Sequence, residues 1–128
     1  MININELSGG TLAYLGDAYW SLLVRDYLIN QGVYRPMDLQ IKSIKMVSAK
    51  AQRKIYEYLL NKDFLTEEEQ SYFKRGRNYS SKSYPKNTDV ITYRYSTGFE
   101  ALIGYLYIEK DFKRLNTIFD EVKKMEII

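Results

Sequence analysis

A chain of 128 residues, 45% of them hydrophobic and carrying a net charge of +3, is sized for one domain around a single core. It has no apolar run long enough to span a membrane. It also lacks both cysteine and histidine, which together excludes disulfides, thiolate and imidazole metal sites, Ser-His-Asp triads and histidine general bases.

Chemistry is therefore left to carboxylates, Lys, Tyr, Ser/Thr, or a hard cation held by oxygens. The N-terminus lacks the basic start and apolar centre of a signal peptide, so a cytoplasmic location is the expectation. The charge is unevenly placed: residues 1–41 sum to −2, residues 42–94 to +6 and residues 95–128 to −1. A basic middle on a neutral-to-acidic body fits a polyanion laid across one side, though a solvated helical surface has the same signature.

In chain order, the first helix is expected over residues 8–31, with Ser8 as its N-cap and Gly32 as its stop. Helical spacing puts Leu12, Leu15, Tyr19, Leu22 and Leu23 on its apolar face. Asp17 falls off that face, one turn from Ala13 and Ser21 and two from Gly10, so a carboxylate is surrounded by small residues. Pro36 opens a short helix over 36–42, since proline suits a first helical turn. A third helix over 47–61 buries Val47, Ala51, Ile55, Tyr58 and Leu59 and turns Lys50, Arg53 and Lys54 outward.

Thr66 followed by three glutamates is a helix start with a capping box. That fourth helix ends in a basic tip, Lys74, Arg75 and Arg77, an arrangement the helix dipole favours on its own. Residues 78–88 lack apolar periodicity and read as an exposed loop rich in Ser, Asn and Tyr. From Lys74 to Arg94 there are six basic residues and one acid, the mixture used for contacts to a nucleic-acid backbone. The fifth helix, over 89–109, is the most apolar; Phe99, Leu102, Ile103, Leu106 and Tyr107 mark it as the centre of a bundle. Gly98 and Gly104 each cost about 1 kcal/mol in a helix interior, which marks close approach of another helix. Glu100 shares a face with Tyr93, Thr97 and Gly104. A sixth helix over 112–125 turns Leu115, Ile118, Phe119 and Val122 inward. The fold class is all-α.

Two stretches, Tyr14-Leu15-Gly16-Asp17-Ala18 and Phe99-Glu100-Ala101-Leu102-Ile103-Gly104, resemble the two acidic signatures of the ribonuclease III catalytic domain. Three further blocks, Val47-Ser48-Ala49-Lys50, Lys74-Arg75-Gly76-Arg77-Asn78, and Pro85-Lys86-Asn87-Thr88-Asp89-Val90 running on to Thr97, are similar to the Mini-III branch, which has no double-stranded-RNA-binding domain. Single blocks are weak signals, but five in order cover nearly the whole chain. The resemblance implies one catalytic domain over 1–128, an all-helical homodimer and Mg²⁺-dependent cleavage of double-stranded RNA. It also implies a role in maturing the ends of large-subunit (23S) ribosomal RNA, with help from a ribosomal protein. Carried over residue by residue, Asp17 matches the catalytic, metal-binding aspartate and Glu100 the metal-binding glutamate. The wider family expects further acids where this chain has Ala13 and Thr97, a departure the Mini-III branch shares.

Mg²⁺ keeps several waters and needs only one or two carboxylates, so Asp17 and Glu100 suffice if the first and fifth helices pack side by side. Lys74, Arg75, Arg77, Lys82, Lys86 and Arg94 are the candidate contacts to RNA phosphates. Two other readings stand beside this one. A catalytically silent RNA-binding scaffold would be expected to lose one of the acids, and a helical DNA- or partner-binding module leaves their small neighbours unexplained.

Overall fold

The structure is a computed structural model that describes residues 2–79 and 89–127. Six α-helices follow a short 3-10 turn at Ile4–Glu6: α1 Gly9–Asn30, α2 Pro36–Val47, α3 Ala49–Asn61, α4 Glu67–Arg77, α5 Val90–Ile108 and α6 Phe112–Lys123. There is no strand among the described residues. None of the described helices is long and apolar enough to cross a membrane.

The helix starts are encoded locally. Ser8, Ser48, Thr66, Asp89 and Asp111 each accept a bond from a first-turn N–H, satisfying donors that a helix leaves orphaned. At Thr66 the box closes both ways, with the Glu69 carboxylate accepting from the Thr66 N–H at 2.9 Å. Gly32 sits at φ +90° just past α1, a conformation that favours glycine.

The central position of α5 is borne out: it packs against α1, α3, α4 and α6, and burial of Phe99, Ala101, Leu102, Ile103 and Leu106 lets it serve as the axis. Where α1 and α5 cross, backbone meets backbone. A Cβ added at Gly16 would lie 2.7 Å from the Gly104 amide nitrogen, and one added at Gly104 would strike the Leu12 carbonyl. α4 approaches α5 the same way, since a Cβ on Gly76 would come within 2.6 Å of the Thr97 carbonyl.

Four expectations are corrected. The buried stripe of α1 is Leu12, Ala13, Gly16, Trp20, Val24 and Leu28, while Leu22 is 61% exposed and Leu15, Tyr19 and Leu23 are only half-buried. Contact at backbone distance puts the smallest residues innermost, and counting large apolar residues rotates the helix away from that face. α2 continues to Val47, beyond the expected stop at 42. Its C-terminal carbonyl at Met46 is satisfied by the buried Trp20 indole N–H at 2.9 Å. In α3, Gln52 and Tyr56 take the buried places expected of Val47 and Tyr58. Val47 closes α2, and Tyr58 reaches sideways to Glu121 at 3.2 Å. Tyr107 also stays at the edge of the core, ringed by Tyr19 and Phe112.

A buried ion pair ties α6 to α4. Arg114 forks onto Glu69 with bonds of 2.7 and 2.8 Å and also donates to the Phe64 carbonyl. Burial pushes the Glu69 carboxyl up, but bonds from Arg114 and Thr66 more than offset this and leave it below the ordinary range.

Candidate active site

The crossing of α1 and α5 shapes the cleft above it. With no side chain between the helices at Gly16 and Gly104, neighbouring residues, Asp17 next to Gly16 and Glu100 one turn before Gly104, line a shared space of about 470 Å³. Asp17 and Glu100 both line it with Ala13, Thr97 and the Tyr14, Tyr79 and Tyr93 rings, and Tyr79 packs directly on Gly10. Ala13 and Thr97 thus stand inside the cleft where the wider ribonuclease III pattern has acids. Thr97 turns its hydroxyl back to the Tyr93 carbonyl at 3.0 Å.

The carboxyl groups of Asp17 and Glu100 lie within hydrogen-bonding reach of each other. Burial, the hydrogen bond with Asp17 and repulsion from its charge push the Glu100 carboxyl up to about 9, against an opposing donor from Gln52. Without a cation, Glu100 therefore keeps its proton at neutral pH. Two carboxylates brought together in one cleft could share a divalent cation, and their hard oxygen donors suit Mg²⁺. Among the described residues no third acid joins them to make a larger cluster.

The basic residues divide into two groups. Arg77 and Arg94 come together from α4 and α5, lining a small cleft with Asn78, Ile91 and Tyr95. It adjoins the carboxylate cleft in sequence, since Asn78 lines one and Tyr79 the other. Lys74 is exposed on the last turn of α4. Arg75 is turned inward instead: its guanidinium donates to the carbonyls of Ile4 and Leu7 at 3.0 and 3.2 Å and lies over the Tyr72 ring. Lys82, Lys86 and most of the expected 78–88 loop lie outside the described residues.

Sequence reasoning missed Gln52 and Ser96. Gln52 is fully buried and donates to Glu100 at 3.4 Å, while the Ser96 hydroxyl donates to its carbonyl at 2.7 Å. The available signal was a polar residue within an apolar helical stripe, at 52 among Ile55, Tyr56 and Leu59; at 96 the signal was a polar row, Thr92, Ser96 and Glu100, at four-residue spacing.

An all-helical domain that brings two carboxylates together in one cleft, beside a pair of arginines, has the frame of a nuclease acting on a polyanion. Comparison with known proteins narrows it. The ribonuclease III domain family matches residues 10–111. The Mini-ribonuclease 3 of Streptococcus pneumoniae is 44% identical, with 92% of each chain covered. That of Staphylococcus aureus is 43% identical over 94% of this chain and 90% of its own. A crystal structure of a Fusobacterium nucleatum protein superposes with a TM-score of 0.86 at 35% identity, covering 98% of this chain and 99% of that one. The chain belongs to the ribonuclease III family of endoribonucleases and, within it, to the Mini-ribonuclease 3 branch.

Proposed function

We propose that the chain is a Mg²⁺-dependent endonuclease for double-stranded RNA, working as one catalytic domain in the cytoplasm and trimming the ends of large-subunit (23S) ribosomal RNA. The observation that carries this reading is the pairing of Asp17 with Glu100 across the α1–α5 crossing. Asp17 and Glu100 hold the metal ion, and Asp17, the more exposed of the two, also aligns the attacking water. When bound, Mg²⁺ supplies an activated water and offsets the charge that builds on the phosphate.

Lys74, Arg77 and Arg94 on the described surface, with Lys82 and Lys86, contact RNA phosphates. Arg75 supports them indirectly by anchoring the N-terminal turn to α4. A-form RNA shows phosphates and 2′-hydroxyls across a shallow minor groove, so recognition is by shape. Two active sites, one for each strand, require two copies of the chain. Apolar side chains left outside the core support a homodimer: Tyr14 is 84% exposed, and Leu22, Ile29, Met37 and Ile44 are at least half exposed. A ribosomal protein that presents the precursor RNA is the expected accessory partner.

The test is cleavage of a plain RNA duplex with Mg²⁺ and with EDTA, beside Asp17→Asn. Cutting that needs Mg²⁺ and disappears in the variant supports the assignment. A folded Asp17→Asn protein that cuts as the wild type does overturns it. A wild type that binds the duplex in Mg²⁺ and leaves it whole favours the silent scaffold.

A further inference from the structure

Along α5 the side chains of Thr92, Ser96 and Glu100 fall four residues apart, a single stripe that faces α3. Two consecutive residues of α3 meet all three. Arg53 donates to the Thr92 hydroxyl at 2.8 Å. Gln52 accepts from the Ser96 hydroxyl at 2.7 Å and donates to Glu100 Oε2 at 3.4 Å. The Thr92 hydroxyl in turn donates a hydrogen bond to Asp89 Oδ2 at 2.9 Å, at the cap of α5.

Gln52 is 0% exposed, and both ends of its amide are in use. The Glu100 carboxylate takes the N–H₂ end, since rotating the amide would set two acceptor oxygens against each other, and the carbonyl end is left to accept from the Ser96 hydroxyl. A leucine or methionine would fill the same place beside Ile55 and Leu59 without the desolvation cost of a buried amide. The amide's second partner is one member of the carboxylate pair, and packing does not require that bond.

We propose that Gln52 is a positioning residue for the cleft: its amide, bonded to Ser96, holds the Glu100 carboxylate toward Asp17, where the two would hold a divalent cation. This rests on the reading of Asp17 and Glu100 as a cation site. Ser96 acts through Gln52, and Arg53 bonds the first turn of α5 at Thr92. Hydrogen-bonding partners behind a metal ligand typically contribute about 10- to 100-fold in metal affinity.

The experiment uses the full chain as wild type, Gln52→Met and Ser96→Ala. Mn²⁺ binding is followed by the loss of the free-ion EPR signal, with Mg²⁺ titrations of duplex cleavage and thermal unfolding in EDTA alongside. Gln52→Met is expected to bind Mn²⁺ about 10- to 100-fold more weakly and to need correspondingly more Mg²⁺, with cleavage returning at saturation. Ser96→Ala should move both quantities in the same direction by less. Wild-type Mn²⁺ affinity in Gln52→Met, with only the unfolding temperature changed, makes Gln52 a packing residue and overturns the proposal. Should Gln52→Met fail to fold, unchanged Mn²⁺ affinity in Ser96→Ala overturns it equally. A wild type that takes up no Mn²⁺ removes the cation site itself, and this proposal with it, before any variant is compared.

Discussion

Replacing Glu100 by glutamine should stabilise the metal-free protein above neutral pH while removing its ability to hold a cation. In the folded chain burial and the neighbouring Asp17 push the Glu100 carboxyl to about 9, from an ordinary 4.5. Between those values the folded state keeps a proton that the unfolded chain has released, so stability falls as pH rises through the window. Each pH unit there costs about 1.4 kcal/mol, so moving from pH 6 to pH 8 removes on the order of 3 kcal/mol. For a domain of this size that is roughly a 10 °C drop in Tm. Glutamine carries no titrating proton, and it can still accept from Gln52. Its curve should therefore be nearly flat with pH in EDTA, crossing above the wild type on the alkaline side. Adding Mg²⁺ at pH 8 should raise the wild-type Tm by mass action and leave the variant unmoved. The assay is thermal unfolding from pH 5 to pH 9, with EDTA and with Mg²⁺. A wild-type Tm independent of pH in EDTA, or a Glu100→Gln variant less stable than wild type at pH 8, would refute the reasoning.

The α1–α5 crossing leaves no room for a methyl group, so Gly16→Ala should lower stability by about 1–3 kcal/mol or more through overpacking, read by denaturant unfolding. Gly32→Ala, with open space around it and only its φ of +90° to strain, should cost about 1 kcal/mol; equal losses at both sites would argue against backbone contact at the crossing. Arg94→Ala should reduce the slope of log affinity for an RNA duplex against log salt by about one. Arg75→Ala should leave that slope near wild type and lower Tm, because its bonds go to Ile4 and Leu7; the reverse pattern would exchange their roles. Arg114→Met strands the buried Glu69 carboxylate and should cost about 3–5 kcal/mol near pH 7, measured by urea unfolding. The folded Glu69 carboxyl lies below its ordinary value, so this contribution is full above the ordinary carboxylate range and fades as pH falls through it.

The elements of this protein are written in its local sequence. Ser8, Ser48, Thr66 and Asp89 stand at helix starts because their side chains bond amides three residues on, an interaction that needs no distant partner. The two acids were legible for a similar reason: Asp17 and Glu100 each sit among small residues, a pattern visible one helix at a time. What the linear order could not decide was which face of α1 lies innermost. Leu22 and Leu23 outrank Ala13 and Gly16 in hydrophobicity, yet close approach to α5 rewards the absence of a side chain. Nor could it place Arg75, which has the same charge as Arg77 but turns toward two carbonyls far back in the chain. Gln52 was hidden by distance, since its partners Ser96 and Glu100 meet it only when α3 packs on α5. Local capping and composition determined the helices and the family of chemistry. Backbone contact between glycines, set by tertiary packing, decided where the carboxylates face and what holds them there.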